Sequence, residues 1–149
     1  MDFIILTALL IVVAEVTYLV ASQFTKERRT AVAPAFIDTS VLIDGRIIAI
    51  AASGFMNRPL YIPRSVVGEL QFLADTGDSD KRARARHGLD IINELQSMPR
   101  VTVKIFADGV RAREGVDNRL LELAKKHGGA ICTIDYNLNK VAVVEGIEV

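Results

Sequence analysis

The sequence predicts an α/β domain with a parallel sheet covered on both faces, preceded by one apolar segment. Two observations carry that prediction. From residue 35 onward, short apolar runs of strand length alternate with longer segments of helical period, the pattern of parallel strands joined by crossover helices. Two of those runs, AFID at 35–38 and ICTID at 131–135, end in an aspartate, and open α/β sheets bind ligands at the carboxyl ends of their strands. No internal repeat or low-complexity segment interrupts the pattern.

The apolar segment comes first. A mean hydropathy of +0.30 is high for a soluble domain, and its source is FIILTALLIVVAEVTYLVA at residues 3–21, where Glu15 is the one charge. With residues 22–24 it reaches the length of about 20 residues that crosses a bilayer core, so a transmembrane helix is expected over residues 1–24. Glu15, near its middle, is expected to turn inward against other helices or to be protonated. A cleaved signal peptide is the rival, because Ala31, Val32 and Ala33 resemble a cleavage site. Against it, Asp2 and no Lys or Arg precede the apolar run, and the basic cluster Lys26, Arg28 and Arg29 follows it. That cluster keeps the C-terminal side in the cytoplasm, giving a single-pass membrane protein with a short linker over residues 25–34.

Residues 34–149 suffice for one core. The whole chain carries 18 basic and 18 acidic residues, so global charge does not announce a nucleic-acid partner, and any such partner must meet a local patch. Cys132 is the only cysteine, which excludes an internal disulfide and a cysteine-based metal site.

The domain's elements follow in order. Residues 35–38 form a first strand, and apolar positions at helical spacing over 41–52 form a helix ending near Ser53 and Gly54. Residues 60–62 make a brief second strand stopped by Pro63, which opens the helix RSVVGELQFLAD. A loop at 76–79 leads to a longer helix over about 80–96, then a third strand at 101–106. Residues 117–126 are helical and end at Gly128 and Gly129; 130–133 is the fourth strand; 136–144 the last helix, capped by Gly146. A fifth strand begins at 147–149.

Four acids fall where acids are unexpected. Asp38 and Asp135 end their strands, so on neighbouring strands they stand at one sheet edge, about 5 Å apart in strand spacing. Glu69 lies beside the apolar stripe Val66, Leu70 and Leu73, where a carboxylate needs a salt bridge, a cation or an outward turn. Asp117 starts the stripe Leu120, Leu121 and Ala124, a position that also suits a helix cap. Taken singly, a turn, a cap or an ion pair explains each; taken together, four converging carboxylates call for a hard divalent cation. All-oxygen donors without His or Cys point to Mg²⁺ or Mn²⁺ rather than Zn²⁺. His87 reads as a surface residue and His127 as a helix C-terminal residue.

The segments FIDTSVLIDGRI, VVGELQFLAD, GVDNRLLELA and ICTIDYNLNKVA, in this order and with the T-x-D signature, resemble the PIN domain, a metal-dependent nuclease fold. DTSVLIDGRI and DKRARARHGLDIINELQ closely resemble the matching segments of bacterial membrane-anchored PIN and TRAM proteins. Those relatives carry several membrane helices upstream and a TRAM RNA-binding module downstream. One apolar stretch and no TRAM module are present here, so the chain reads as a shortened product or a piece of a longer protein. The resemblance implies a three-layer α/β/α domain over residues 35–149 with strand order 3-2-1-4-5. It also implies a Mg²⁺- or Mn²⁺-dependent nuclease acting on single-stranded RNA ahead of DNA. It assigns Asp38, Glu69, Asp117 and Asp135 as catalytic metal ligands, with Ser40 and Thr133 as hydroxyl supports and Asp44 as a weaker candidate that can pair with Arg46.

For phosphate binding the sequence offers Lys81, Arg82, Arg84 and Arg86, with Arg111 and Arg113 as a second pair. A solvated helix face with an Arg86 to Asp90 ion pair is the plain alternative. Partners are therefore nucleic acid, a membrane through the N-terminal helix, and a second copy in a homo-oligomer. Dehalogenase-type phosphatases need an Asp two residues after the first and find Ser40; receiver domains need an acidic pair before the first helix and a late lysine, both lacking. A catalytically silent RNA- or protein-binding module at the membrane is the competing class.

Overall fold

The computed structural model describes residues 5, 7, 9–19, 32–109 and 115–149, and the chain divides into two units, Met1–Val32 and Ala33–Val149. In the first, residues 9–19 are helical with exposed side chains, Glu15 included, and the Thr17 hydroxyl donates to the carbonyls of Val13 and Ala14. Among the described residues no helix is long and apolar enough to cross a membrane. The rest of the expected span, linker residues 25–31 with Lys26, Arg28 and Arg29, and the pair Arg111 and Arg113 lie outside the described residues.

The second unit is α/β. Its elements are β1 (Ala35–Ile37), α1 (Thr39–Asp44), α2 (Ile47–Ala52), β2 (Leu60–Pro63), α3 (Arg64–Thr76), α4 (Ser79–Ser97), β3 (Val103–Phe106), α5 (Val116–His127), β4 (Ala130–Cys132) and α6 (Tyr136–Val144). All strand pairs are parallel, in the order β3-β2-β1-β4. This corrects the expected order 3-2-1-4-5: residues 147–149 do not form a strand, although the Ile131 amide donates to the Glu148 carbonyl at 2.9 Å beside β4. One backbone bond along the edge is too little for a ladder.

Central β1 is buried at every position, the signature of a strand covered on both faces. Phe36 meets Tyr61 and Phe106 edge-on at 5.9 and 5.8 Å, and Phe106 is capped by His127 at 5.1 Å. Leu42, Leu60, Ile62, Val66, Leu70, Leu95, Leu120 and Ile131 complete a core in which large side chains are wholly shielded. Burying a Leu or Ile side chain contributes about 1.5–3 kcal/mol, so this packing is what fixes the strand ends in place.

Glycine breaks the helix expected over 41–52. Gly45 takes φ 77 and closes α1 by donating to the Val41 carbonyl, so α1 and α2 are separate short helices. A Cβ there would also stand 2.9 Å from His87 Nε2 on α4. Gly88 plays a packing role: its missing side chain lets α4 close on Leu70 of α3, where a Cβ would lie 3.0 Å from a leucine methyl. Replacing Gly45 by Ala is expected to lower unfolding free energy by roughly 1–2 kcal/mol, the cost of a left-handed L-residue. Urea titration checks this, and an unchanged midpoint would show that the turn relaxes freely.

Candidate metal centre

Ile37 of β1 stands in register with Cys132 of β4, so the residues just beyond, Asp38 and Thr133, emerge side by side at the carboxyl end of the sheet. The Asp38 amide donates to the Cys132 carbonyl at 3.0 Å, extending the ladder by one bond. Asp38 is the N-cap of α1, yet its carboxylate makes no cap bond. It is turned instead toward two hydroxyls, accepting from Ser40 Oγ at 2.5 Å and Thr133 Oγ1 at 2.8 Å. Only 4 % of the residue is exposed. A carboxylate that buried survives because charge-assisted bonds, about 1.5–3 kcal/mol each, replace lost water.

The hydroxyls are themselves held. Ser40 Oγ and Thr133 Oγ1 are 3.3 Å apart, Ser40 Oγ accepts from the Ile134 amide at 3.2 Å, and Thr133 Oγ1 accepts from the Asp135 amide at 2.9 Å. Ser40 and Thr133 thus both contact the Asp38 carboxylate. Asp135 follows one turn of chain later and caps α6, its Oδ1 accepting from the Asn137 and Leu138 amides at 2.7 and 3.0 Å.

Asp117 sits in the first turn of α5 but is not its cap, which is Gly115 at φ 92. Burial pushes its carboxyl above the ordinary 3.8, and the negative charges of Asp38 and Asp135 push it further the same way. These three acids thus share one electrostatic environment. Burial, again with the Asp38 charge behind it, also raises the Cys132 thiol. Glu69, half-buried on α3, is joined less directly: its Oε2 accepts from Thr39 Oγ1 at 2.5 Å, and Thr39 is the neighbour of Asp38.

Two contributors escaped the reading of the sequence. Thr39, between Asp38 and Ser40, was given no role by the sequence. Asp108, beyond the end of β3, is buried and accepts from the Ser65 amide at 3.3 and 3.4 Å, serving the start of α3 where Pro63 offers no side-chain acceptor. Its other partner is Arg119 of α5, whose Nε lies 3.9 Å from Oδ2 and whose guanidinium also donates to the Asp108 carbonyl. One carboxylate thereby ties the helix bearing Glu69 to the helix bearing Asp117. Nothing short-range in the sequence signals a bond between residues 43 positions apart.

Other candidates stand apart. Asp44 pairs with Arg46 at 2.5 Å, and that guanidinium holds its carboxyl below the usual range. On exposed α4, Lys81 pairs with Asp78 at 3.5 Å and Arg84 with Asp80 at 3.1 Å. The expected Arg86 to Asp90 pair is not formed, and among the described residues Arg82 and Arg86 meet no carboxylate. None of the four cations contacts the acids at the sheet edge.

The donor set suits a hard divalent cation, being carboxylates and hydroxyls without His or Cys. Among the described residues, however, no group of three or more His, Cys, Asp or Glu side chains is arranged so as to hold a metal ion. The acids form a charge-coupled cluster and not a closed coordination shell.

Residues 35–144 match the model of the PIN domain. An uncharacterized PIN and TRAM-domain containing protein of Bacillus subtilis (strain 168) is 42% identical over 113 residues, which cover 76% of this chain and 31% of that protein. A protein of the same description from Synechocystis is 38% identical over 116 residues, 78% of this chain and 32% of its own length. The chain thus spans about a third of the curated relatives it matches. Among solved structures, a domain of a functionally unknown protein from Methanocaldococcus jannaschii superposes with a TM-score of 0.65 at 26% identity, covering 78% of this chain and 89% of that one.

The raised carboxyl of Asp117 fixes a pH effect. Between 3.8 and its higher folded value the native state binds more protons than the unfolded chain, so this group's contribution to stability falls as pH rises through that window. Above the window the penalty is constant. With a chelator present, Asp117→Asn should melt higher than wild type at pH 7, and the gap should close as pH drops below about 4. Equal melting differences at both pH values would contradict the assigned coupling.

Proposed function

Because the chain belongs to the PIN domain family, we propose that it is a divalent-metal-dependent nuclease that hydrolyses phosphodiester bonds of single-stranded RNA. The observation that carries the reading is the charge coupling of Asp38, Asp117 and Asp135 at the carboxyl end of the sheet. Mg²⁺ or Mn²⁺ would be held by Asp38 with Asp117, Asp135 and Glu69, and when bound would supply an activated water and offset charge on the reacting phosphate.

The chain's own residues provide orientation. Ser40 and Thr133 lock the Asp38 carboxylate in a single pose, and a ligand held in one rotamer needs no reordering when the cation arrives. Asp135 spends Oδ1 on the α6 cap and keeps Oδ2 available. Thr39 steadies Glu69. Arg82 and Arg86, four residues apart on exposed α4, supply cations for substrate phosphates.

A silent binding module is the reading to beat, favoured by the lack of a closed metal shell among the described residues. Asp38→Asn distinguishes them: it should cut Mn²⁺-dependent cleavage of single-stranded RNA by at least about 100-fold while leaving the circular dichroism spectrum unchanged. Wild-type protein that takes up no Mn²⁺ by calorimetry and cleaves nothing would establish the silent module instead.

Phosphate contacts at Arg82 and Arg86 have their own signature. Converting both to Ala should reduce the slope of log affinity against log salt by about 1.4, two single-strand contacts' worth of released counterions. An unaltered slope would remove α4 from the binding surface.

A further inference from the structure

A cleft with a cavity volume of about 690 Å³ runs along the outer face of α3, with Ser65, Gly68, Glu69 and Phe72 on one wall and Gly115 and Val116 on the other. Glu69 lines this cleft and accepts from Thr39, the neighbour of Asp38, so the cleft adjoins the acidic centre through that residue. Three features of the wall point to a planar ligand with a polar edge. Phe72 is 64% exposed, a large aromatic face turned to water on a helix whose opposite side is fully packed. Gly68 lies one turn before it on the same face, and nothing stands within 4 Å of where a side chain would begin, leaving bare backbone beside the ring. Ser65 lines the cleft, and among the described residues its Oγ is buried with no hydrogen-bond partner.

We infer that this cleft is a base pocket: an unpaired nucleobase next to the scissile phosphate stacks on Phe72 over Gly68, with its polar edge toward Ser65 Oγ. The inference rests on the nuclease reading above and adds its selectivity. A base within a duplex has both faces covered by its neighbours and none to offer the ring, so Phe72 is what makes the site take single strands. Aromatic stacking is tolerant of base identity, and Ser65 is then the position where a preference among bases arises.

The chain contains no tryptophan, which makes Phe72→Trp a lone fluorescent reporter at this point. Wild type, Phe72→Ala and Phe72→Trp, each as the full chain, are titrated with a cleavage-resistant single-stranded oligonucleotide, its duplex, and a copy with abasic positions. Phe72→Ala should weaken single-strand binding about five- to hundredfold and leave duplex and abasic binding unchanged. Phe72→Trp should retain single-strand binding, with its emission quenched on addition of that strand alone.

Equal single-strand affinity for wild type and Phe72→Ala, with Trp emission unmoved, would overturn the base pocket while leaving Asp38-dependent cleavage standing. A uniform loss across all three ligands would overturn it too, by reducing Phe72 to general surface packing. Wild-type protein that binds none of them and leaves a cleavable single strand intact in Mn²⁺ would sink the nuclease reading and the pocket together.

Discussion

Everything at the sheet edge depends on holding the Asp38 carboxyl group in place where almost no water reaches it. The backbone has already used its local opportunity, since Asp38 sits at an N-cap position yet makes no cap bond. Its stabilisation comes from Ser40, two residues along, and from Thr133, reached only because β4 lies next to β1 in parallel register. The core therefore does more than supply stability. Phe36, Ile37 and Ile131 fix strand positions to within a hydrogen bond's tolerance, and a slip of one residue would bring a different side chain to Asp38 and break the pairing.

Helix α3 joins this buried centre to the surface. Its packed face, Val66, Val67, Leu70 and Ala74, is held against α4 through the flush contact at Gly88. Its outer face carries Gly68 and Phe72 into the cleft, and Glu69 lies between the two. Asp108 anchors the helix at its start and, through Arg119, couples it to α5. Relative motion of α3 and α5, the helices that carry Glu69 and Asp117, is thereby limited.

Much of this was legible in the sequence, and the failures share a physical cause. Strand-tip aspartates and the helices bearing Glu69 and Asp117 follow from local periodicity, which reports burial directly, whereas Ser40 and Thr133 came only from the resemblance to the PIN domain. The break at Gly45 was missed because apolar spacing continues through it, while the left-handed turn is set by one residue's conformation. The expected fifth strand failed because three suitable residues do not make a ladder without partners. Thr39 and Asp108 were invisible because their partners lie 30 and 43 residues away.

The remaining question is why charge is concentrated here at all. At the α6 cap, Asn or Ser would accept the same two amide bonds as Asp135 with similar benefit, without adding a negative charge near Asp38 and Asp117. At the first turn of α5, the helix dipole rewards an acid by about 0.3–1 kcal/mol. Asp117 is nonetheless pushed toward its protonated form by burial and by its acidic neighbours, so the local reward is outweighed. Folding gains nothing from either charge that a neutral side chain would not give. A structural account explains the positions of these residues but not their ionisation, whereas a divalent cation drawn to the sheet edge turns the same repulsion into binding energy. That asymmetry supports the nuclease reading over the silent module.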